Sequence, residues 1–145
     1  MIKLKSLICE VIRLNSIKEV DVIKEELATA AQEVYDGWVQ DEEGNDEELG
    51  SGGICHLIAD TLLDVLYKHG INRSQTVSSC YEQHVYLVGQ FREGVFLIDI
   101  PYSLYERGGG FTWKKLPGIK FDADYISIEL LDRNPRNLKQ YVDQM

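Results

Sequence analysis

The sequence predicts an α+β fold in which N-terminal helices pack on an antiparallel β-sheet. From Ile17 to Trp38, and again from Ile54 to Leu66, apolar residues recur every three or four positions, which is the spacing of a helix face. After Gly70 the apolar residues alternate or cluster, and Val, Ile, Tyr and Phe become frequent, as in strands. The chain has 145 residues, 44% of them hydrophobic, and we expect a single domain over residues 1–145.

The first helix is predicted to begin after Ser16, because Ser16 and Glu19 have the spacing of a capping box. The apolar face of this helix is formed by Ile17, Val20, Ile23, Leu27, Ala30, Val34 and Trp38. Residues 36–53 carry glycines and acidic residues and are predicted to form a loop. A second helix is predicted to begin near Cys55 and to end at Gly70, where glycine can adopt the left-handed conformation of a C-terminal cap.

Four later segments have the composition of strands. They are residues 76–80, 84–89, 94–100 and 125–130. The second and third of these segments are close enough in sequence to form a hairpin. Near the end of the chain, Asn134 and Pro135 have the order of a helix N-cap and a first helical residue, which predicts a short terminal helix.

The negative charge of the chain is concentrated in one segment. With 15 basic and 24 acidic residues, the formal net charge is −9. Between Lys24 and Lys68 there are twelve acidic residues and no Lys or Arg, so the rest of the chain, with 15 basic and 12 acidic residues, has a net charge of +3. Such a chain lacks the basic surface of a nucleic-acid-binding protein and has little attraction to an anionic membrane. The acidic segment favours a cationic peptide or protein as substrate, bound in a salt-sensitive manner.

Cysteine content and hydropathy predict a cytoplasmic protein that does not bind a membrane. The three cysteines, Cys9, Cys55 and Cys80, are odd in number and widely spaced, which is not a disulfide framework. The longest aliphatic or aromatic run covers residues 95–98, far short of the roughly 20 residues of a membrane span. Charged residues within the first 13 positions interrupt the apolar stretch that a signal peptide would need. We expect no cofactor.

Cys55 has the position of a catalytic nucleophile. It follows a glycine-rich stretch over residues 50–53 and begins a predicted helix, where unpaired N–H groups and the helix dipole favour an anion. The thiolate is therefore favoured, and glycines such as Gly53 allow a substrate backbone to approach closely. A thiolate nucleophile needs a base and a group that orients the base.

His84 and Asp99 are the candidates for these two roles. A four-residue hairpin loop over residues 90–93 would place their side chains directly opposite each other on one face of the sheet. The other face would then hold the apolar residues Val85, Leu87, Phe96 and Ile98. The competing register, with a two-residue turn at residues 93–94, would separate His84 from Asp99 by roughly 13 Å along the strand. We favour the four-residue loop, because an unpaired carboxylate in the apolar strand around Asp99 would be costly.

The order of a Cys at a helix start, a His on a strand and an Asp on the next strand resembles the papain-like superfamily. The short interval from His84 to Asp99 is most similar to its transglutaminase-like and arylamine N-acetyltransferase branches. The resemblance covers residues 50–101 and implies that Cys55 attacks a carbonyl, His84 is the base and Asp99 orients His84. It implies a papain-like fold and a cysteine-dependent amide hydrolase or acyl transferase, that is, a peptidase, an amidase or a glutamine deamidase.

The surroundings of Cys55 depart from the papain pattern. Papain-type enzymes have Cys-Gly-Ser-Cys-Trp at the nucleophile, whereas this chain has Gly-Gly-Ile-Cys-His. Their oxyanion-hole Gln lies a few residues before the Cys, where residues 46–49 of this chain are Asp-Glu-Glu-Leu. The candidate oxyanion donors are therefore the Cys55 backbone N–H together with Gln40, Trp38 or Gln83.

Two other interpretations use the same residues. Cys55, His56, Cys80 and His84 could form a zinc site, but Cys80 and His84 would lie roughly 13 Å apart on one extended strand, too far to share a metal. We therefore predict no metal. The second alternative is a non-catalytic acidic binding or inhibitor protein that docks a basic partner, in which the reactivity of Cys55 has no role.

Overall fold

The computed structural model describes residues 14–40, 54–79, 84–100, 106–107, 114–115 and 120–143. The first three helices are α1 (Ile17–Val22), α2 (Lys24–Gln40) and α3 (Cys55–Lys68). They are followed by the strands β1 (Ser74–Ser79), β2 (His84–Phe91), β3 (Gly94–Asp99), β4 (Glu106–Arg107) and β5 (Lys114–Lys115). A 3-10 turn at Ala123–Tyr125 leads into β6 (Ser127–Asp132), and a second one at Pro135–Asn137 leads into α4 (Leu138–Asp143). Helices followed by an antiparallel sheet confirm the predicted α+β class.

The N-terminal capping box forms as predicted. The Ser16 backbone N–H donates to Glu19 Oε2 at 2.7 Å, and the Ser16 hydroxyl oxygen accepts the Lys18 N–H at 3.3 Å. The single predicted helix face is divided between α1 and α2, because Ile23 leaves the helical conformation as the C-cap of α1. The apolar face nevertheless continues across the break, since Val20 and Leu27 are both fully buried.

Helix α2 continues through Gln40, so the loop predicted from residue 36 is wrong for residues 36–40. The reason is tertiary burial. Tyr35 and Trp38 enter the core at 1% and 7% exposure, and their packing outweighs the weak helix propensity of Gly37. The rest of the predicted loop, residues 41–53, lies outside the described residues.

The predicted glycine cap at the end of α3 is confirmed. Gly70 has φ of 77°, a left-handed conformation that glycine adopts without a steric penalty. The Ile71 N–H donates to the Leu66 carbonyl at 2.9 Å, and the Gly70 N–H donates to the Tyr67 carbonyl at 3.0 Å. This pattern satisfies the last carbonyls of the helix and turns the chain toward β1.

The four long strands form one sheet in the order β1-β2-β3-β6, with each neighbouring pair antiparallel. They match the four predicted segments within about two residues at each end. Strand β3 lies inside the sheet, between β2 and β6, and Asp99 at its last position pairs with Ser127. Strands β4 and β5 pair separately with each other.

The register of the β2–β3 hairpin differs from both predicted registers. Phe91 pairs with Gly94 and Leu87 with Ile98, so the turn consists of Arg92 and Glu93 alone. The contacts of these two residues with the start of α1 select this turn. The Glu93 carboxylate accepts the Ser16 hydroxyl at 2.6 Å and the Ile17 N–H at 2.9 Å, and Arg92 Nε donates to the Leu14 carbonyl at 2.6 Å.

The two glycines that flank the predicted loop are strand residues with a packing role. A Cβ atom on Gly89 would lie 2.6 Å from Ser74 Oγ, and one on Gly94 would lie 2.1 Å from the backbone oxygen of Asp132. Both positions therefore require glycine, because adjacent strands of the sheet approach their Cα atoms closely. The favoured register is wrong because it attributes both glycines to turn formation.

The core lies between the helices and one face of the sheet. It includes Ile58, Leu62 and Leu66 of α3, all at 0% exposure, packed with Leu87, Phe96 and Ile98 of the hairpin. Burial of each such side chain stabilises the fold by about 1.5–3 kcal/mol. The predicted core face of the hairpin is thus confirmed for these three residues, and Val85 is half-buried. The opposite face carries a smaller cluster of Val77, Val88 and Val95, which α4 covers with Leu138, Tyr141 and Val142.

We predict that Gly94→Ala destabilises the protein by about 2 kcal/mol or more. The added methyl group would clash with the backbone oxygen of Asp132, and the φ of 146° at this position is strained for any residue with a Cβ atom. The free energy of unfolding from urea denaturation measures the effect. Gly37→Ala is the matched control, because nothing lies within 4 Å of its Cβ position inside α2. The control should gain about 0.5–1 kcal/mol. Equal effects of the two substitutions would contradict the close approach of β6 to Gly94.

Candidate active site

Cys55 is the first residue of α3, as the sequence predicts, and is 7% exposed. Its neighbour Ile54, the N-cap, is fully buried and offers no side-chain hydrogen bond to the first turn. The N-terminal N–H groups of this 14-residue helix therefore act on the thiol without a competing capping group from Ile54. Cys55 Sγ also accepts the backbone N–H of Val85 at 3.4 Å.

The Val85 N–H reaches the thiol because the sheet opens at this point. Gln90 N–H donates to the Arg73 carbonyl at 2.8 Å, on the β1 side of β2. Since hydrogen-bonding direction alternates along a strand, even-numbered N–H groups of β2 point to β1 and odd-numbered ones, including Val85, point to β3. The next hydrogen-bonded pair after Leu87↔Ile98 would be Val85 and Ile100, but β3 ends at Asp99. The thiol of Cys55 accepts the hydrogen bond that a longer β3 would have accepted.

His84 and Asp99 form a buried hydrogen bond, with Nε2 of His84 2.6 Å from Oδ2 of Asp99. Each side chain is only 7% exposed. The observed register differs from the favoured one by two residues, so the two side chains remain on the same face but lie diagonally instead of directly opposite. Diagonal neighbours are within reach of long or ring-bearing side chains. Because the carboxylate only accepts, Nε2 is the ring nitrogen that carries the proton.

The thiol of Cys55 lies close enough to the imidazole of His84 to raise its pKa, so His84 connects the other two groups. With Nε2 engaged by Asp99, Nδ1 is the ring nitrogen that remains for another partner. Burial lowers the pKa of His84, but the hydrogen bonds and negative charges of Asp99 and Cys55 outweigh burial and raise the pKa to about 9. At neutral pH His84 is therefore an imidazolium, paired with Asp99.

Burial raises the pKa of Asp99, and the hydrogen bond and positive charge of His84 oppose that rise. The Ile100 N–H lies close enough to the carboxylate to lower the pKa as well. Within the ranges that the structure describes, Oδ1 of Asp99 has no partner that meets hydrogen-bond geometry. Asp99 thus directs one oxygen to His84 and orients the imidazole.

Of the four remaining predicted site residues, the structure describes the side chain of Trp38 alone. Trp38 is 7% exposed, belongs to the main core and packs on Tyr35 with ring centroids 5.9 Å apart. Gln40 ends α2, and its side chain lies outside what is described, as do Gln83 and Gly53. The oxyanion assignment of these four residues stays a prediction.

Two groups at the site were not found from the sequence. The Val85 N–H is a backbone donor, and only the end of β3 decides that it faces the thiol. Tyr86 lies beside His84, with ring centroids 6.0 Å apart. The alternation of strand side chains could have indicated Tyr86, since it shares the face of His84 two residues away.

The described ranges hold neither a metal-binding cluster nor a membrane-spanning helix. In these ranges no group of three or more His, Cys, Asp or Glu side chains is arranged to bind a metal ion. Cys80, one of the four residues of the alternative zinc site, is outside them. No helix in the same ranges has the length and apolar character needed to cross a bilayer.

Comparison with protein-family models, with curated proteins and with solved structures finds no match to this chain. The case for a function of Cys55, His84 and Asp99 therefore rests on their own geometry.

We predict that the imidazole of His84 titrates with a pKa of about 9. The NMR shift of its ring Cε1–H against pH measures this value, and substitution of each of the three histidines assigns the signals. Asp99→Asn removes the carboxylate and should lower the His84 pKa. Asp64→Asn, which removes a charge from an exposed position of α3, is the control and should leave it unchanged. Titration of His84 near its ordinary value of 6.5 in the unsubstituted protein would refute the predicted ion pair.

The same shift predicts how stability depends on pH. The pKa of His84 is 6.5 in the unfolded chain and about 9 when folded, so protonated His84 stabilises the folded state. This contribution is complete below about pH 6.5 and is lost as the pH rises through about 9. We expect the melting temperature to fall over that window, and to fall less in His84→Gln. Parallel melting curves for the two proteins across the window would contradict the prediction.

Proposed function

We propose that this chain is a cysteine-dependent amide hydrolase or acyl transferase whose triad is Cys55, His84 and Asp99. One observation carries the proposal: the buried imidazole of His84 is hydrogen-bonded to Asp99, and Cys55, at a helix N-terminus, lies close enough to act on the same imidazole. In this proposal Cys55 is the nucleophile, His84 is the base and Asp99 orients the base, which is the order of groups that nucleophilic catalysis uses.

In the first half of the reaction, the Cys55 thiolate would attack the substrate carbonyl carbon and form an S–C bond. The N-terminus of α3 and the Val85 N–H stabilise the thiolate before attack. Collapse of the tetrahedral intermediate breaks the C–N bond and leaves a thioester on Cys55. The departing nitrogen takes a proton from the His84 imidazolium, which the pKa of about 9 keeps charged at neutral pH.

In the second half, His84 is neutral and acts as a base. It removes a proton from the incoming nucleophile, which attacks the thioester carbonyl and releases the Cys55 thiolate. Water as the nucleophile completes hydrolysis and releases an acid, whereas an amine completes acyl transfer. Asp99 holds the ring orientation through both halves and stabilises each imidazolium state.

We extend the proposal to the substrate and the location from the composition of the chain. The twelve acidic residues between Lys24 and Lys68 lie in the segment that leads to Cys55 and support a cationic peptide or protein substrate. The unpaired cysteine count supports a cytoplasmic location, and the net charge of −9 argues against nucleic acid as a partner. Papain-like ancestry, nearest to the transglutaminase-like branch, is part of the same proposal.

The alternative of a non-catalytic acidic binding or inhibitor protein makes a different prediction about the thiol. In such a protein His84 and Asp99 would stabilise the sheet, and the reactivity of Cys55 would not depend on them. The reactivity of the thiol therefore separates the two functions.

We expect Cys55 to react with iodoacetamide at pH 6 much faster than free cysteine does, because an imidazolium beside a thiol favours the reactive thiolate. Peptide mass spectrometry distinguishes Cys55 from Cys9 and Cys80. His84→Ala should slow the alkylation at least about tenfold by removing the cationic partner. A p-nitrophenyl ester should leave a thioester on Cys55 that intact-protein mass spectrometry detects.

His69→Ala is the matched control for loss of a histidine, since His69 ends α3 and contacts Glu26 on α2. It should leave alkylation of Cys55 unchanged. If Cys55 reacts no faster than free cysteine, or if both histidine variants slow it equally, the enzymatic proposal is wrong and the binding protein is favoured.

A further inference from the structure

Tyr86 is an aromatic residue next to the proposed triad that the proposed mechanism does not use. It is two residues from His84 on β2, so the two side chains project from the same face of the sheet. Their ring centroids are 6.0 Å apart and their planes are inclined by 30°. Tyr86 is half-buried.

The sheet register also places Tyr86 against Asp99. Extending the pairing by one rung from Leu87↔Ile98 sets Tyr86 opposite Asp99. Because even-numbered N–H groups of β2 point to β1, this rung is a non-hydrogen-bonded pair between β2 and β3. Side chains approach each other most closely in such pairs. Tyr86 is therefore a direct cross-strand neighbour of Asp99 and a same-strand neighbour of His84.

Tyr86 also packs against apolar residues on its face of the sheet. Tyr86 packs against the outer cluster of Val77, Val88 and Val95, and Val77 is its cross-strand partner on β1. Helix α4 covers that cluster. The ring thus lies between a packed apolar cluster and the hydrogen bond that joins His84 to Asp99.

From these contacts we infer that Tyr86 is a positioning residue: its ring shields the His84–Asp99 hydrogen bond from water and holds the imidazole so that Nδ1 faces Cys55. An aromatic wall lowers the local dielectric, which strengthens the charged hydrogen bond beside it. It also restricts rotation of the imidazole, and orientation of the base is a large part of catalytic efficiency. The kinetic part of this inference rests on the proposed function, whereas the positioning of His84 does not.

The positioning role belongs to the ring of Tyr86 and not to its hydroxyl group. Tyr86→Phe keeps the ring, so alkylation of Cys55 and titration of His84 should match the unsubstituted protein. Tyr86→Ala opens a path for water to the hydrogen bond. We expect it to change the pKa of His84, because water would alter both its burial and its hydrogen bond to Asp99, and to slow alkylation of Cys55 at pH 6 at least about tenfold. Among the described residues, the titratable groups that act on the pKa of His84 are Asp99 and Cys55, and neither substitution alters them.

Tyr141→Ala is the matched control for loss of an aromatic ring. Tyr141 packs on the same outer cluster, and its hydroxyl donates to the Leu131 carbonyl at 2.7 Å. It should reduce the free energy of unfolding without changing the titration of His84. The same NMR titration and alkylation assay, applied to all three variants, separates positioning from general stability.

An unchanged His84 titration in Tyr86→Ala, or an equal change in Tyr141→Ala, would overturn the inference. An equal change of the His84 pKa and the alkylation rate in Tyr86→Ala and Tyr86→Phe would assign the effect to the hydroxyl group. That result would also overturn the inference. The NMR readout needs no catalytic activity. Failure of the proposed function would appear instead as an unreactive Cys55 in the unsubstituted protein, whatever the titration of His84.

Discussion

The hydrogen bond between His84 and Asp99 holds the rest of the site in place. Asp99 is 5% exposed at the end of an internal strand, where an unpaired carboxylate would cost several kcal/mol. His84 offsets that cost by supplying a proton and a positive charge at 2.6 Å. The thiol of Cys55 acts on the same imidazole, so one ion pair both stabilises Asp99 and connects it to the proposed nucleophile.

The candidate site forms where the first residue of a helix meets the last residue of a strand. Helix α3 begins at Cys55, and β3 ends at Asp99, one rung before it would pair with Val85. The N–H that β3 leaves without a strand partner is accepted by the thiol at 3.4 Å. A shorter β3 would lose Asp99, and a longer one would compete with Cys55 for the same donor. Strand length therefore determines the geometry of the candidate site.

The register of the hairpin shows how a wrong local prediction can leave a correct contact. The favoured register uses Gly89 and Gly94 as turn markers, but close approach of Ser74 and Asp132 requires them, and contacts of Glu93 with α1 select the turn. The resulting error is two residues. Because side chains alternate with a period of two, an even shift preserves the face, and His84 and Asp99 still meet. The competing two-residue turn is also displaced by two residues from the observed register, in the opposite direction.

Periodicity and local chemistry are enough to predict a large part of this protein. They give the α+β class, the capping box at Ser16, the glycine cap at Gly70, the start of α3 at Cys55 and the apolar face of the hairpin. Long-range packing alone sets the hairpin register, the extension of α2 past Gly37, and the positions of the Val85 N–H and the Tyr86 ring around the triad. The difference is one of range along the chain. Caps and helix faces depend on residues within a few positions of each other, whereas register and strand ends depend on contacts between segments distant in the sequence.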